Sequence, residues 1–309
     1  MPYQSALGGM PVIDDSNADQ FVDPIVDGQK RLCALRPRDL GKYPEGHCGF
    51  AALRPFDQYT KAELVQRIKE RDAARSGLRH ILDSKGVPCK DQGSIPYCWI
   101  YSSVHTMEIA YAVQGDGYVP LSATAAGSMI TGGQSRGGYG AEAIEFLSKH
   151  GTCREQDWPE HQISTKYRTP AVDEMSKQNI LTDWGELPSG NLDQLAAAVI
   201  NNFPVTIGLS WWGHQVTIID LVLLAGDVIG FVFNNSWGMR WGDNGRGVLT
   251  PQKAPATCSI RSTFDLVAKL CGRRSHCGCR PWLCEFARSE SCRPKQSASR
   301  PVCWLQSCT

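Results

Sequence analysis

The sequence predicts an α+β fold in which helices come first and strands follow. Two patterns predict it. Apolar residues recur at helical spacing up to about Asn201, and from Val205 onward apolar runs of strand length alternate with turn residues. The composition fits a chain able to bury a core, with 42% hydrophobic and 20% charged residues, and no internal repeat is visible.

Residues 1–57 have little periodicity and many Asp, Gly and Pro residues, which reads as a loop-rich leader. The pattern changes at Thr60. Thr60 and Glu63 have the spacing of a capping box, in which hydroxyl and carboxylate each satisfy a free backbone N–H. Leu64, Ile68, Leu78, Ile81 and Leu82 then predict one charged amphipathic helix from Lys61 to about Lys85, stopped by Gly86. Residues 58–86 thus form an accessory element. It is either a removable cover or a permanent part of the fold, and the permanent reading is preferred. Ile100, Val104, Met107 and Tyr111 predict a helix from Cys98 to about Val113, ended by Gly115. Further helices are predicted over Ala141–Lys149, closed by Gly151, and over Leu192–Asn201. Strands follow at Val205–Leu209, at His214–Leu224 and Val228–Asn234 around an Ala225-Gly226-Asp227 turn, and at Arg246–Thr250. These elements make residues 87–265 the main domain. Residues 266–309 form a Cys-rich tail without apolar periodicity, too poor in core residues to pack by itself.

Charge and hydropathy narrow the function. Lys plus Arg number 32 and Asp plus Glu 31, a balance unlike the basic excess of a nucleic-acid binder. The longest apolar run, Val216 to Ala225, is interrupted by Asp220 and is too short to span a membrane. Met-Pro-Tyr-Gln-Ser is not the start of a secretory signal, which favours a cytoplasmic location. The 13 cysteines are unevenly spread, with five between Cys33 and Cys153 and eight from Cys258 onward. In the tail, disulfides, metal ligation around His276, Cys277, Cys279 and Cys284, or an unstructured segment all remain open, and no firm zinc spacing is present.

Three short segments carry the chemistry. Cys98 opens a predicted helix, where free N–H groups and the macrodipole favour a thiolate. Gln92, six residues earlier, can offer a side-chain amide to the same space and, with the Cys98 N–H, form an oxyanion hole. His214 begins one strand of the predicted hairpin and Asn235 follows the other, so the two lie near one end. There the Asn oxygen can fix the imidazole tautomer and aim the other nitrogen at a thiol. His105, about two helical turns beyond Cys98, is too far away for such a role.

These segments resemble the papain-like cysteine peptidase family. Gln92-Gly93 and Cys98-Trp99 stand at the spacing of its nucleophile motif, and Gly213-His214-Gln215-Val216 is similar to its histidine segment. Asn235 through Gly245 matches its Asn-Ser-Trp-Gly-x-x-Trp-Gly-x-x-Gly segment without a gap. The resemblance covers Val87 to Thr250. It implies a two-lobed α+β fold, with a helical left lobe carrying the nucleophile and an antiparallel right lobe carrying His and Asn. It further implies nucleophile Cys98, base and acid His214, orienting Asn235 and oxyanion donor Gln92. Gly137, Gly138 and Tyr139 would form a platform for an extended peptide, and Trp237 would border the site and shield the Asn–His bond. Two cysteines that the family pairs are replaced together, by Ile95 and Ser135. The excursion before the histidine is reduced to Ser210–Gly213, so Trp211 and Trp212 either wall a substrate pocket or pack in the core.

The expectation is a monomeric thiol endopeptidase acting on peptide or protein substrates, with no metal or organic cofactor and no nucleic-acid or membrane partner. Acyl transfer by the same triad, such as glutamine deamidation or crosslinking, is one alternative. A non-catalytic binding module is the other.

Overall fold

A computed structural model describes residues 9–37, 41, 56–114, 117–182, 184–188, 190–254 and 264–266. The tail from residue 267 and Gly115 lie outside the described residues, as do residues 1–8 and most of 38–55 of the leader. Among the described residues no helix is long and apolar enough to cross a membrane.

The leader takes more structure than its composition predicts. β1 (Val12–Ile13) runs parallel to a late strand, and β2 (Ile25–Val26) and β3 (Gln29–Lys30) form a small hairpin. None of this has a period to detect, because the order comes from bonds to distant residues. The Trp212 indole N–H, for example, donates to the Phe21 carbonyl at 2.6 Å.

The single helix expected over Lys61–Lys85 is two helices, α1 (Lys61–Ala74) and α2 (Leu78–Ser84). The capping box at Thr60 and Glu63 is present. Arg75 ends α1 in the left-handed region at φ 50°, and Gly77 caps α2. The break follows from Asp220, buried and 3.6 Å from Arg71 and 3.4 Å from Arg79. Gly77 lies so close to that carboxylate that a Cβ would overlap it, and a continuous helix cannot make this approach.

α3 (Cys98–Gln114) is the central helix. It is buried on nearly all sides and packs against α4 (Ala123–Thr131) and α5 (Gly140–His150), with α6 (Pro170–Ser176) further along the chain. Neither α4 nor α6 has a counterpart in the sequence reading. α4 is almost wholly buried and rich in small residues, so it shows no polar face. β4 (Gly185–Leu187) and α7 (Leu192–Ile200) lead into the strands β5 (Val205–Leu209), β6 (His214–Leu224), β7 (Val228–Asn234), β8 (Arg246–Leu249) and β9 (Phe264–Leu266).

One seven-stranded sheet has the order β1-β8-β7-β6-β5-β9-β4, and only the β1–β8 pair is parallel. β6 and β7 pair from Leu224↔Val228 to Thr217↔Asn234, with Gly226 and Asp227 in the turn at φ 72° and 52°. Hydroxyls tie the helical part to the sheet: Ser102 Oγ lies 2.5 Å from Thr206 Oγ1 and 3.0 Å from Thr217 Oγ1. That joint sits one helical turn beyond Cys98 and three residues beyond His214, so it fixes α3 against β6.

Candidate active site

The loop before α3 is built around Gln92. Its Oε1 accepts a hydrogen bond from the Ser236 hydroxyl at 2.6 Å, and its backbone N–H donates to the Ser236 carbonyl at 2.8 Å. With the oxygen occupied, the Nε2 hydrogens point the other way, to the carbonyls of Ile95 at 2.8 Å and Leu32 at 3.1 Å. Tyr97 anchors the approach to the helix through its hydroxyl, 2.7 Å from Thr131 Oγ1 and 2.8 Å from the Gln134 carbonyl.

On the sheet side, His214 Nε2 lies 2.8 Å from Asn235 Oδ1, which also accepts the Ser236 backbone N–H at 2.8 Å. An oxygen that accepts twice requires Nε2 to carry the proton. Nδ1 is then a bare lone pair, and it is buried without a protein hydrogen-bond partner. The imidazole lies between two indoles, with ring centroids 4.7 Å from Trp237 and 4.9 Å from Trp212. Trp237, itself fully buried, therefore covers the His–Asn pair. Trp212 belongs to the sheet-side core, and the half-buried Trp211 stacks on it at 5.3 Å. Of the two readings for this pair, the structure takes packing in the core.

The two halves meet at Cys98. The backbone N–H groups of Ala34, Gln215, Trp99 and Leu35 all bear on its sulfur, and Gln215 is the residue after His214. Cys98, His214, Asn235 and Gln92 are thus gathered at the seam of helix and sheet. Gly137 and Gly138 face the same seam. Gly138 abuts the Trp99 ring and Gly137 the Ala34 carbonyl so closely that neither has room for a Cβ. Tyr139, half-buried, is the N-cap of α5.

The seam is occupied by the leader. Leu32–Arg36 runs through it as an extended strap. The Gly138 N–H donates to the Ala34 carbonyl at 3.2 Å, the Arg36 N–H to the Gly138 carbonyl at 2.9 Å, and the Leu35 N–H to the Gly213 carbonyl at 2.8 Å. Leu35 packs on the helical core and against Gly208. Arg31, buried at the head of the strap, forms a bidentate pair with Asp91 at 2.5 and 3.2 Å. The Leu32 carbonyl therefore accepts from the amide proposed on sequence grounds to bind an oxyanion.

Covering the seam sets its electrostatics. Burial pushes the His214 imidazole down to about 4, against the opposing pull of the Asn235 hydrogen bond. Burial also raises the Cys98 thiol, while the four backbone N–H groups pull it down. The two shifts favour a neutral thiol and a neutral imidazole. The thiolate expected from the helix N-terminus is thus not the form that the covered seam favours, because burial outweighs the pull of the N–H groups.

The sequence reading missed Ser236, Arg31 and the strap. Ser236 had a signal, since it lies within the motif beside Asn235, but only the fold shows that it orients Gln92. Arg31 and Asp91 are 60 positions apart and share no pattern. Among the described residues no group of three or more His, Cys, Asp or Glu side chains is arranged to hold a metal ion. A separate cavity of about 480 Å³ is lined by residues including Lys90, Tyr101, Tyr118, Glu155, Trp158 and His161, and none of the four gathered residues borders it.

Residues 79–220, just under half of the chain, match the model of a family described as papain family cysteine protease. Oryzain beta chain of Oryza sativa subsp. japonica is 25% identical over 182 residues, 51% of this chain and 38% of that protein. Zingipain-2 of Zingiber officinale is 25% identical over 185 residues, 52% of this chain and 80% of that protein. The chain thus spans well under two thirds of the rice relative's length. Xylellain, a cysteine protease from Xylella fastidiosa, superposes with a TM-score of 0.53 at 14% identity, over 80% of this chain and 99% of that one. The fold is papain-like α+β, with Cys98 on the helical side and His214 and Asn235 on the antiparallel-rich sheet side. Asn235 to Gly245 lies beyond the stretch that the family model matches.

Proposed function

We propose that this chain is a cysteine-type endopeptidase, with Cys98 as nucleophile, His214 as base and acid, Asn235 as orienting residue and Gln92 as oxyanion donor. The observation that carries the reading is the 2.8 Å bond from His214 to Asn235, which leaves a bare, buried Nδ1 on the residue before Gln215, whose backbone N–H reaches Cys98 at the start of α3.

With the strap lifted, His214 Nδ1 takes the Cys98 proton and the thiolate attacks the scissile carbonyl carbon. The carbonyl oxygen becomes an anion, held by Gln92 Nε2 and the Cys98 backbone N–H. His214 then protonates the leaving amine, leaving a thioester. A water that loses its proton to His214 attacks the thioester, and the acid product departs as Cys98 regains its proton. The substrate backbone would use the same Gly138 and Gly213 groups that bind the strap.

An epoxide thiol inactivator applied to the full chain, with the adduct mapped by mass spectrometry, is expected to modify Cys98 selectively and to stop hydrolysis of a peptide substrate. Hydrolysis that persists after complete modification of Cys98 would overturn the reading.

A further inference from the structure

We propose that Cys33 and Cys98 form a reversible disulfide, a redox modification site that locks the strap over the seam. The proposal rests on the thiol-peptidase reading of Cys98 and concerns the regulation of that same site.

Cys33 is the one residue of the strap with chemistry of its own, and the backbone on both sides of it is fixed. Before it, the Leu32 carbonyl accepts from Gln92 at 3.1 Å. After it, the Ala34 carbonyl accepts from Gly138 at 3.2 Å. The Cys33 N–H itself donates to Asp23 Oδ1 at 2.8 Å. The Ala34 and Leu35 N–H groups, in the next two peptide units, bear on the Cys98 sulfur. The Cys33 Cβ lies 4.0 Å from the position a Cβ on Gly213 would take, so it faces the turn that carries His214. Burial above all, and to a lesser degree the neighbouring Cys98, pushes the Cys33 thiol up. Two thiols therefore border one covered seam, and both are free. Cys33 is partly exposed, whereas Cys89, Cys98 and Cys153, the other free cysteines among the described residues, are buried.

The oxidant is a peroxide. With the strap lifted, the Cys98 thiolate attacks one peroxide oxygen. An S–O bond forms, the O–O bond breaks, and the hydroxide released takes a proton to become water, leaving a sulfenic acid. When the strap returns, the Cys33 sulfur attacks the Cys98 sulfur. The S–S bond forms, the S–O bond breaks, and hydroxide leaves with the Cys33 proton as a second water. In sum, two thiols lose two electrons and two protons, and one hydrogen peroxide becomes two waters. A small dithiol reverses the link by exchange. Without Cys33, the sulfenic acid is open to further oxidation to the sulfinic acid, which a dithiol does not reverse. The link thus closes the seam and also shields the nucleophile.

The test uses the full, reduced chain. One equivalent of hydrogen peroxide is added under native conditions, free thiols are alkylated, and a non-reducing digest is read by mass spectrometry. A peptide joining Cys33 to Cys98, two hydrogens lighter than its parts, is expected, with loss of epoxide labelling at Cys98 that dithiothreitol restores. In Cys33→Ser, with a second equivalent of hydrogen peroxide given to both chains, Cys98 is expected to go on from sulfenic to sulfinic acid, with labelling lost for good. Absence of the Cys33–Cys98 peptide overturns the proposal, as does Cys98 joined to another of the 13 cysteines or to a second chain. So does a Cys33→Ser chain that recovers labelling as fully as the parent. The mass readout needs no turnover. Hydrolysis without the link removes only this inference, and the link in a chain inert after reduction removes only the peptidase reading.

Discussion

Two buried polar clusters flank α3, and they are completed differently. In the first, Lys90 Nζ bonds Glu108 at 2.7 Å, Glu155 at 2.7 Å and the Leu121 carbonyl at 3.0 Å. Glu108 also accepts the Leu121 N–H at 2.6 Å and contacts His105 Nδ1 at 3.0 Å. His105 Nε2 meets Asn234 at 2.8 Å, and Asn234 in turn accepts from Arg246 at 3.2 Å. The second cluster leaves His214 Nδ1, Asn235 Nδ2 and Trp237 Nε1 without protein partners. Adjacent residues serve the two: Asn234 ends β7 in the first cluster, and Asn235, pointing to the other side, enters the second. Saturated hydrogen bonding holds α3 to its neighbours. Unsaturated bonding, tolerated at an energetic penalty a few bonds away, is where the proposed substrate site lies.

The sharpest way to separate the clusters is by what their loss damages. Cys98→Ala should reduce peptide hydrolysis by more than about a thousandfold and leave the thermal midpoint nearly unchanged, as calorimetry beside a fluorogenic assay would show. A midpoint that collapses would place Cys98 with the structural cluster. Glu108→Ala should do the opposite. It takes the buried carboxylate away from Lys90, His105 and the Leu121 N–H together, leaving Lys90 with the more exposed Glu155, and urea unfolding should register a loss of about 3 kcal/mol. An unchanged urea midpoint would break the comparison from the other side.

Acid tests the incomplete cluster alone. The ordinary imidazole value is near 6.5, and in the covered seam His214 is held at about 4. Below 6.5 the opened seam binds a proton that the covered one refuses. The cover is therefore at full strength above that pH and weakens progressively toward pH 4, by up to roughly 3 kcal/mol. Protection factors of the Leu35 and Arg36 amides, corrected for intrinsic exchange, should fall across this window. Constant protection would show that His214 does not govern the cover. The smallest effect is expected from Ser236→Ala, which frees the Gln92 amide to rotate. Turnover should drop about tenfold, equivalent to about 1.4 kcal/mol, with binding of the ground-state substrate less affected.

The same contrast explains what the sequence made legible. The β6–β7 hairpin and the start of α3 carry strong periodicity and turn residues, so the neighbourhoods of Cys98, His214 and Asn235 were readable. The break at Arg75–Gly77 was not, because it answers to Asp220, far along the chain. Nor was the strap: Leu32–Arg36 has no period of its own, and its extended form is imposed by Gly138, Gly213 and Gln92. The small-residue helix α4 escaped for a related reason, since a segment buried all round has no contrast between faces to detect.

The parallel pairing of β1 with β8 has a topological consequence. Val12 and Ile13 stitch the early chain to one margin of the sheet, while Leu32–Arg36 lies some twenty residues later in the groove. A backbone nick following Arg36 would leave a passenger still moored at that margin. Opening the groove would thus ask for only a local peeling of a handful of residues, with the mooring left in place.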